Sequence, residues 1–250
     1  MSAVAGLRLL ILAAAVLFLE ALCYLKIIDR LTMQPPHRML VDLWNILVSG
    51  KLNGAIAKTL TNAGIAFASA LVAGVVTAVV LHRLKALREA LDPLFATYYA
   101  IPIFAFYPLL ILVLGLGDAP QIAIGFMLGV IAVIVNTLNG LDRIPPVLAK
   151  TAHVHHLGPV ETAWRITLPG ALPYMLTGIK LAVAYSLIGV IGAEFIMSRG
   201  GMGYEIAFAY DNFDNATMYP LILLVLTVAI TINGFLSLWE RRLLARRGRR

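Results

Sequence analysis

Residues 59–81, TLTNAGIAFASALVAGVVTAVVL, form a run of 23 residues in which no side chain carries a charge. A membrane-spanning α-helix needs about 20 predominantly apolar residues, because the hydrocarbon core of a bilayer is about 30 Å thick. Three further charge-free runs of 23 to 25 residues cover positions 93–117, 119–141 and 215–239. These four runs predict an all-α integral membrane protein.

Two more apolar stretches, 7–27 and 170–198, contain a few charged side chains. Both are long enough to span if these charges lie near the interfaces or face protein. The first stretch could also be a signal peptide, but no small-residue cleavage site follows it, which favours an uncleaved helix. We predict one transmembrane domain over residues 1–250, with about six spans at the following approximate positions: 7–27, 59–81, 97–117, 119–141, 174–198 and 217–239.

The composition of the chain excludes other classes. Hydrophobic residues make up 60% and charged residues 13%, whereas globular proteins average about 45–50% and about 25%. A water-soluble or disordered chain would not have this balance. The single cysteine, Cys23, excludes an intrachain disulfide and a multi-cysteine metal site.

The positions of lysine and arginine predict the orientation. With the N-terminus inside, 13 of the 20 basic residues lie in inner segments and 6 in outer segments. Because inner loops carry the excess of positive charge, both termini are predicted to be cytoplasmic. Six arginines between positions 241 and 250 then lie beside anionic lipid headgroups, which is a better interpretation than nucleic-acid binding.

Two connecting segments are long enough to have structure of their own. The inner segment 142–173 is bounded by prolines at both ends and predicts one or two short helices, at 149–156 and 160–166, where a cytoplasmic partner would bind. The outer segment 26–58 predicts a helix that lies along the membrane surface, with these residues on its apolar face: Leu40, Leu43, Trp44 and Leu47.

Motifs for catalysis and for nucleotide binding are missing. The sequence has no phosphate-binding G-x-x-x-x-G-K-[ST] loop, no G-x-S-x-G elbow and no H-E-x-x-H zinc motif. The histidines at 153, 155 and 156 have no carboxylate at a spacing that would complete a metal site. We therefore predict no catalytic site, no bound cofactor and no metal.

The inner segment carries the residues of a known family. Gly158, Ile166 to Pro169 and Gly170 to Pro173 resemble the C-terminal half of the EAA loop in permeases of binding-protein-dependent ABC importers. The wider pattern is similar to the subgroup that handles nitrate, sulfonates and taurine. The further matching positions are Asp92-Pro93, Pro102, Ala105, Pro108-Leu109, Gly115 to Gly117, Gly178 to Lys180, Ala193-Glu194, Gly201 to Gly203 and Ile206.

The sequence departs from that family at two places in the loop. The Glu-Ala-Ala positions fall on Lys150-Thr151-Ala152, and the first glycine of the loop falls on His156. The resemblance implies that the loop contains a coupling helix that docks on an ATPase subunit, but the usual acidic residue has become basic. The coupling residues predicted in this way are Lys150, Thr151, Ala152, His156, Gly158, Ile166, Leu168 and Pro169.

The resemblance also implies a function and a set of partners. It implies the transmembrane subunit of an ATP-driven importer for a small anionic solute such as a sulfonate, taurine or nitrate. The expected partners are a second copy of the chain, a cytoplasmic subunit that binds the ATP, and a periplasmic or lipid-anchored solute-binding protein at the bacterial inner membrane. The alternatives are a secondary transporter or channel with no ATPase partner, and a membrane-embedded enzyme.

Four residues are candidates for the translocation path or for a gate. Lys180 lies seven residues past Pro173, about 10 Å along a helix, so its ammonium could extend back to the inner interface or line the path of an anion. Glu194, near the outer face, favours a gate or a helix-packing contact. Pro102 and Pro108 weaken helix hydrogen bonding within the third predicted span.

Overall fold

A computed structural model describes residues 3–29 and 32–247 of the chain. Within these ranges the regular structure is helical and no residue is in a β-strand. The α-helices of the described residues, numbered in chain order from α1 to α11, are Ala3–Tyr24, Pro36–Ser49, Asn53–Arg83, Lys85–Thr97, Tyr107–Leu114, Asp118–Asp142, Pro146–Val154, Pro159–Thr162, Leu168–Met197, Met202–Asp211 and Asn215–Arg247.

Several of these helices are long and apolar enough to cross a membrane. Five such segments occur among the described residues: Gly6–Tyr24, Asn53–Arg83, Asp118–Asp142, Ala163–Ile196 and Asn215–Leu243. The bent pair Lys85–Ala100 and Ile103–Leu114 makes a sixth if it crosses as one unit. The predicted all-α membrane fold is thereby confirmed, while the exact limits of each span in a bilayer stay predictions.

Helix α6 lies at the centre of the bundle, between α3 and α9. Gly125 of α6 is so close to both neighbours that a Cβ atom on it would lie 2.9 Å from the Cβ of Ala66 and 2.9 Å from the carbonyl oxygen of Ser186. The hydroxyl of Ser186 donates a hydrogen bond of 3.2 Å to the carbonyl of Gly125. Small residues allow such close packing of membrane helices, where dispersion contacts replace the hydrophobic effect.

The third predicted span is broken near its middle. Helix α4 leads into a 3₁₀ turn at Tyr98–Ala100, Ile101 is extended, and a second 3₁₀ turn precedes α5. The axis bends by 92° across this break. Pro102 explains it, because proline lacks an N–H donor and pushes the preceding residue out of the helical region. Pro108 lies in the first turn of α5, where a missing N–H costs no hydrogen bond.

Helices α1 and α2 lie at the periphery. In the most apolar stretch of α1, within Gly6–Tyr24, only 6% of the residues are buried inside the chain. Helix α2 packs Leu43 against an apolar cluster that includes Met202 and Leu221. Of the other residues predicted on the apolar face of this helix, Leu40, Trp44 and Leu47 remain exposed. The helix thus has one apolar face toward the bundle and another on the outside.

The two ends of the bundle differ in their loops. Helices α3 and α6 begin, and α9 ends, at the end that we call the outer end because the charge distribution predicts it to face outside. The inner end carries the start of α9 and the segment 142–168. These names are used below for position in the fold.

Candidate functional sites

A group of buried polar side chains joins three helices at the outer end. We call it the outer polar cluster, and it consists of Thr59 and Asn62 of α3, Gln121 of α6 and Glu194 of α9, together with the half-buried Ser198. Buried polar groups are costly unless they are hydrogen-bonded. These contacts therefore fix the relative positions of the helix ends.

The carboxylate of Glu194 is the centre of the first half of the cluster. Its side chain is fully buried, and its Oε2 accepts hydrogen bonds from Thr59 Oγ1 at 2.7 Å and from the backbone N–H of Gly203 at 3.0 Å. The hydroxyl oxygen of Thr59 accepts a third bond, of 2.7 Å, from the N–H of Met202. Glu194 and Thr59 together satisfy N–H groups at the start of α10, where a negative charge is favourable.

The glycines before and within α10 make this contact possible. Gly201 has φ of +108°, a conformation that L side chains rarely adopt. A Cβ atom on Gly203 would lie 2.7 Å from the Cβ of Glu194 and would overlap the carbonyl oxygen of Ile191. The Gly201-Met202-Gly203 pattern therefore lets the chain turn tightly over the buried carboxylate.

Gln121 forms the second half of the cluster. Its Oε1 accepts a hydrogen bond from Asn62 Nδ2 at 3.2 Å, and its Nε2 donates one to Ser198 Oγ at 2.9 Å. With only 2% of the residue exposed, Gln121 links α3, α6 and the turn after α9. Sequence reasoning singled out Glu194 but missed Thr59, Asn62 and Gln121. The available indication was that these three polar residues lie within charge-free runs.

At the inner half of the bundle, Lys180 of α9 forms an ion pair with Glu240 of α11. The two side chains are 23% and 21% exposed. An ionisable residue inside a membrane segment normally has a partner, because an isolated charge in hydrocarbon is costly. Sequence reasoning treated Lys180 alone and counted the region after residue 239 as an arginine tail, so Glu240 was missed as its partner.

A second ionic contact at the inner end joins α4 to α6. The guanidinium of Arg88 donates two hydrogen bonds, of 2.7 and 2.6 Å, to the carboxylate of Asp142. His82 Nδ1 lies 3.4 Å from the same carboxylate. Bidentate pairing of this kind fixes orientation as well as distance, so the helix that leads into the broken span is held against the end of α6.

The inner segment contains the short helices α7 and α8, followed by a π-helical turn at Ala163–Thr167 that leads into α9. The predicted short helices, at 149–156 and 160–166, are displaced by a few residues from these positions. Single π-helical turns are rare and are often found at functional sites. That this segment faces the cytoplasm and docks on a partner stays a prediction.

The predicted coupling residues occupy different environments in this segment. Lys150, Thr151, His156 and Gly158 are exposed, Ala152 is buried, and Ile166, Leu168 and Pro169 are half-buried. The exposed residues are available to a partner, whereas Ala152 packs inside the chain. The π-helical turn and the start of α9 connect the two groups.

His156, at a position where the family pattern has glycine, has φ of +49°. A residue other than glycine pays roughly 1–2 kcal/mol for this left-handed conformation. The backbone therefore keeps the turn that a glycine would adopt, although the side chain has changed. This explains physically why glycine suits the position.

The described residues define a multi-pass α-helical membrane protein with buried polar contacts at the outer end and an exposed helical segment between two spans at the inner end. The sequence pattern of the family described as binding-protein-dependent transport system inner membrane component matches residues 70–250. The chain belongs to this family, as the resemblance predicted. The family and the apolar helices also confirm a multi-pass protein of the inner membrane.

Individual relatives agree with the family. The chain is 23% identical to the nitrate import permease protein NrtB of Leptolyngbya laminosa, over 81% of this chain and 76% of that protein. It is 24% identical to the taurine transport system permease protein TauC of Escherichia coli (strain K12), over 88% and 82%. It is 26% identical to the bicarbonate transport system permease protein CmpB of Synechococcus elongatus, over 74% and 67%. These relatives are transport permeases rather than enzymes.

Proposed function

We propose that the chain is the transmembrane subunit of an ATP-driven importer and forms the path for a small anionic solute. The family membership supports the importer class. The relatives are named for nitrate, taurine and bicarbonate, which share small size and an oxyanion group, and this supports the solute class. The chain itself would hold no cofactor, because the ATP is bound by a partner subunit.

The observation that carries the proposal is the inner segment between α6 and α9. It exposes Lys150, Val154 and Trp164, and its π-helical turn runs without a break into the long helix α9. A short, structured connection passes a displacement of a docked partner to the membrane helix, whereas a slack loop would absorb it. α9 in turn reaches Glu194 and the outer polar cluster.

The complete assembly would contain two copies of this chain, two cytoplasmic ATPase subunits and an external solute-binding protein. Both termini would lie in the cytoplasm, as the distribution of lysine and arginine predicts. Lys150, at the position of an acidic residue in the family pattern, would then face an acidic group of the ATPase. Selectivity for one solute would reside largely in the binding protein.

The docking prediction can be tested with a photoreactive crosslinker on single cysteines. Cys23 is the only cysteine of the chain and is buried, so a Cys23→Ala background leaves one defined thiol at Val154→Cys or Trp164→Cys. We expect a benzophenone maleimide at either position to crosslink to the co-expressed ATPase subunit, with a yield that changes when ATP is added. Leu87→Cys in α4 is the matched control on the other inner segment.

The pattern of crosslinks decides between the candidate functions. Crosslinks from Leu87→Cys alone would show that α4, and not residues 150–169 of the inner segment, is the docking site. A complete lack of crosslinks from all three positions, with the chain at its normal membrane level, would favour a secondary transporter or channel.

A further inference from the structure

A small cavity opens beside the outer polar cluster. Its volume is about 140 Å³, enough for several water molecules or one small ion. Its polar lining residues are Lys58, Tyr107, Gln121, Ser198 and Arg199. These residues come from α3, α5, α6 and the turn after α9, so the cavity lies where the outer ends of the core helices meet.

Both charged side chains that line this cavity, Lys58 and Arg199, are cations, and two carboxylates lie nearby. Lys58 Nζ forms an ion pair of 2.9 Å with Asp118, and Arg199 is exposed with no ion pair in the described part of the chain. The first turn of α6, which begins at Asp118, adds the partial positive charge of a helix N-terminus. The other nearby carboxylate, Glu194, is fully buried; its Oε2 is bound by Thr59 and Gly203, and its Oε1 has no hydrogen-bond partner among the described residues.

The neutral lining residues are held in place. Gln121 and Tyr107 are each only 2% exposed. The hydrogen bond from Gln121 Nε2 to Ser198 Oγ fixes these two lining side chains relative to each other. Lysine, arginine and tyrosine side chains can all donate hydrogen bonds to an acceptor inside the cavity, whereas the hydroxyl of Ser198 already donates to the carbonyl of Gly200. The set fits an oxyanion, because a guanidinium and an ammonium form charge-assisted hydrogen bonds to oxyanions.

We propose that this outer cavity binds the oxyanion group of the transported solute, a nitrate-like or sulfonate-like anion, before it enters the membrane. The inference rests on the proposed function for the direction of transport and for the solute class. It places the anion-attracting charge on Lys58 and Arg199 at the outer end. Lys180, the other candidate for a cation in the path, lies in the inner half of the bundle, where it pairs with Glu240. A bound anion would compete with Asp118 for the ammonium of Lys58.

The test measures how fast a cysteine at the cavity reacts with reagents of opposite charge. Leu116 lines the cavity and is 71% exposed. We introduce Leu116→Cys into full-length Cys23→Ala protein in lipid nanodiscs, which expose both membrane faces. The probes are sulfonatoethyl methanethiosulfonate and trimethylammonioethyl methanethiosulfonate. The reference thiol is Phe213→Cys, which is exposed beside Asp211 and Asp214.

The ratio of the anionic to the cationic rate should be about fivefold or more higher at Leu116→Cys than at Phe213→Cys, because Lys58 and Arg199 line the cavity whereas two carboxylates flank the reference thiol. Lys58→Gln and Arg199→Gln should each lower the ratio at position 116. The matched control Lys51→Gln, an exposed lysine that does not line the cavity, should leave it unchanged. Added methanesulfonate should slow the anionic reagent at position 116 by competition.

Three results would overturn the inference. The first is a rate ratio at Leu116→Cys equal to that at Phe213→Cys. The second is labelling that methanesulfonate slows no more than a neutral salt of equal ionic strength does. The third is a lack of labelling both at Leu116→Cys and at a second cavity position, Ser198→Cys. Each measurement is made without ATP or an ATPase subunit. If the cysteine labelling fails while the inner segment still crosslinks to the ATPase subunit, only the cavity site is overturned. If the labelling behaves as expected while the crosslinks are absent, only the importer function is overturned.

Discussion

Gly203→Ala should sharply reduce the amount of folded protein in the membrane. A Cβ atom at this position overlaps the backbone carbonyl of Ile191 and lies 2.7 Å from the Cβ of Glu194. Overpacking typically costs about 1–3 kcal/mol and occasionally more. We expect the upper end of this range, about 3 kcal/mol, because the carbonyl belongs to the backbone of α9 and cannot turn away as a flexible side chain would.

The measurement is the membrane level and the thermal midpoint of the purified chain, with Gly64→Ala as the matched control. Gly64 is also helical and lies at the outer half of α3, but a Cβ there meets no atom within 4 Å. Its replacement by alanine should be neutral or slightly stabilising, since alanine is the better helix former. Equal behaviour of the two variants would show that α10 does not pack over Glu194 as described.

Neutralising either member of the Lys180–Glu240 pair should also destabilise the chain. Lys180→Met leaves the Glu240 carboxylate without its partner, and Glu240→Gln leaves the ammonium. Removal of one partner from a buried pair costs about 3–5 kcal/mol. Because each side chain is more than a fifth exposed, we expect a smaller loss of about 1–3 kcal/mol, measured as the thermal midpoint of purified protein.

The exchange Lys180→Glu with Glu240→Lys restores opposite charges and should recover most of this stability. It also separates the pairing role from a role in the translocation path. A lysine needed only for pairing tolerates the exchange with uptake retained, whereas a lysine that attracts an anion does not. Two single losses that simply add in the exchanged variant would contradict the pair, because coupled residues are non-additive.

The all-α class and the five to six long apolar helices could be predicted from the sequence, because membrane helices need long apolar runs. The charge-free stretch 59–81 lies within α3, and 119–141 lies within α6. The break at Ile101-Pro102 was indicated by the proline, but its 92° bend depends on packing. Phe104, just after the break, fills the space above Gly192 of α9, a contact between residues 88 positions apart that no local pattern encodes.

The contacts within the sites could not be predicted for the same reason. Thr59 and Glu194 are 135 residues apart in the chain, and Lys180 and Glu240 are 60 apart. Sequence reasoning found Glu194 and Lys180 because a charge within an apolar run is conspicuous. Thr59 and Gln121 carry no charge and are therefore inconspicuous in the sequence. Only the folded arrangement shows that Thr59 binds Glu194 and that Gln121 binds Asn62 and Ser198.

The central claim is that this chain works as the membrane subunit of an importer driven by a separate ATPase. Native mass spectrometry of the tagged chain, extracted gently from the membrane of its own host, tests it most directly. The account predicts a complex with two copies of this 27.1 kDa chain and two copies of an ATP-binding subunit. Recovery of the chain without any stoichiometric ATP-binding subunit, while the chain itself remains folded, would contradict it.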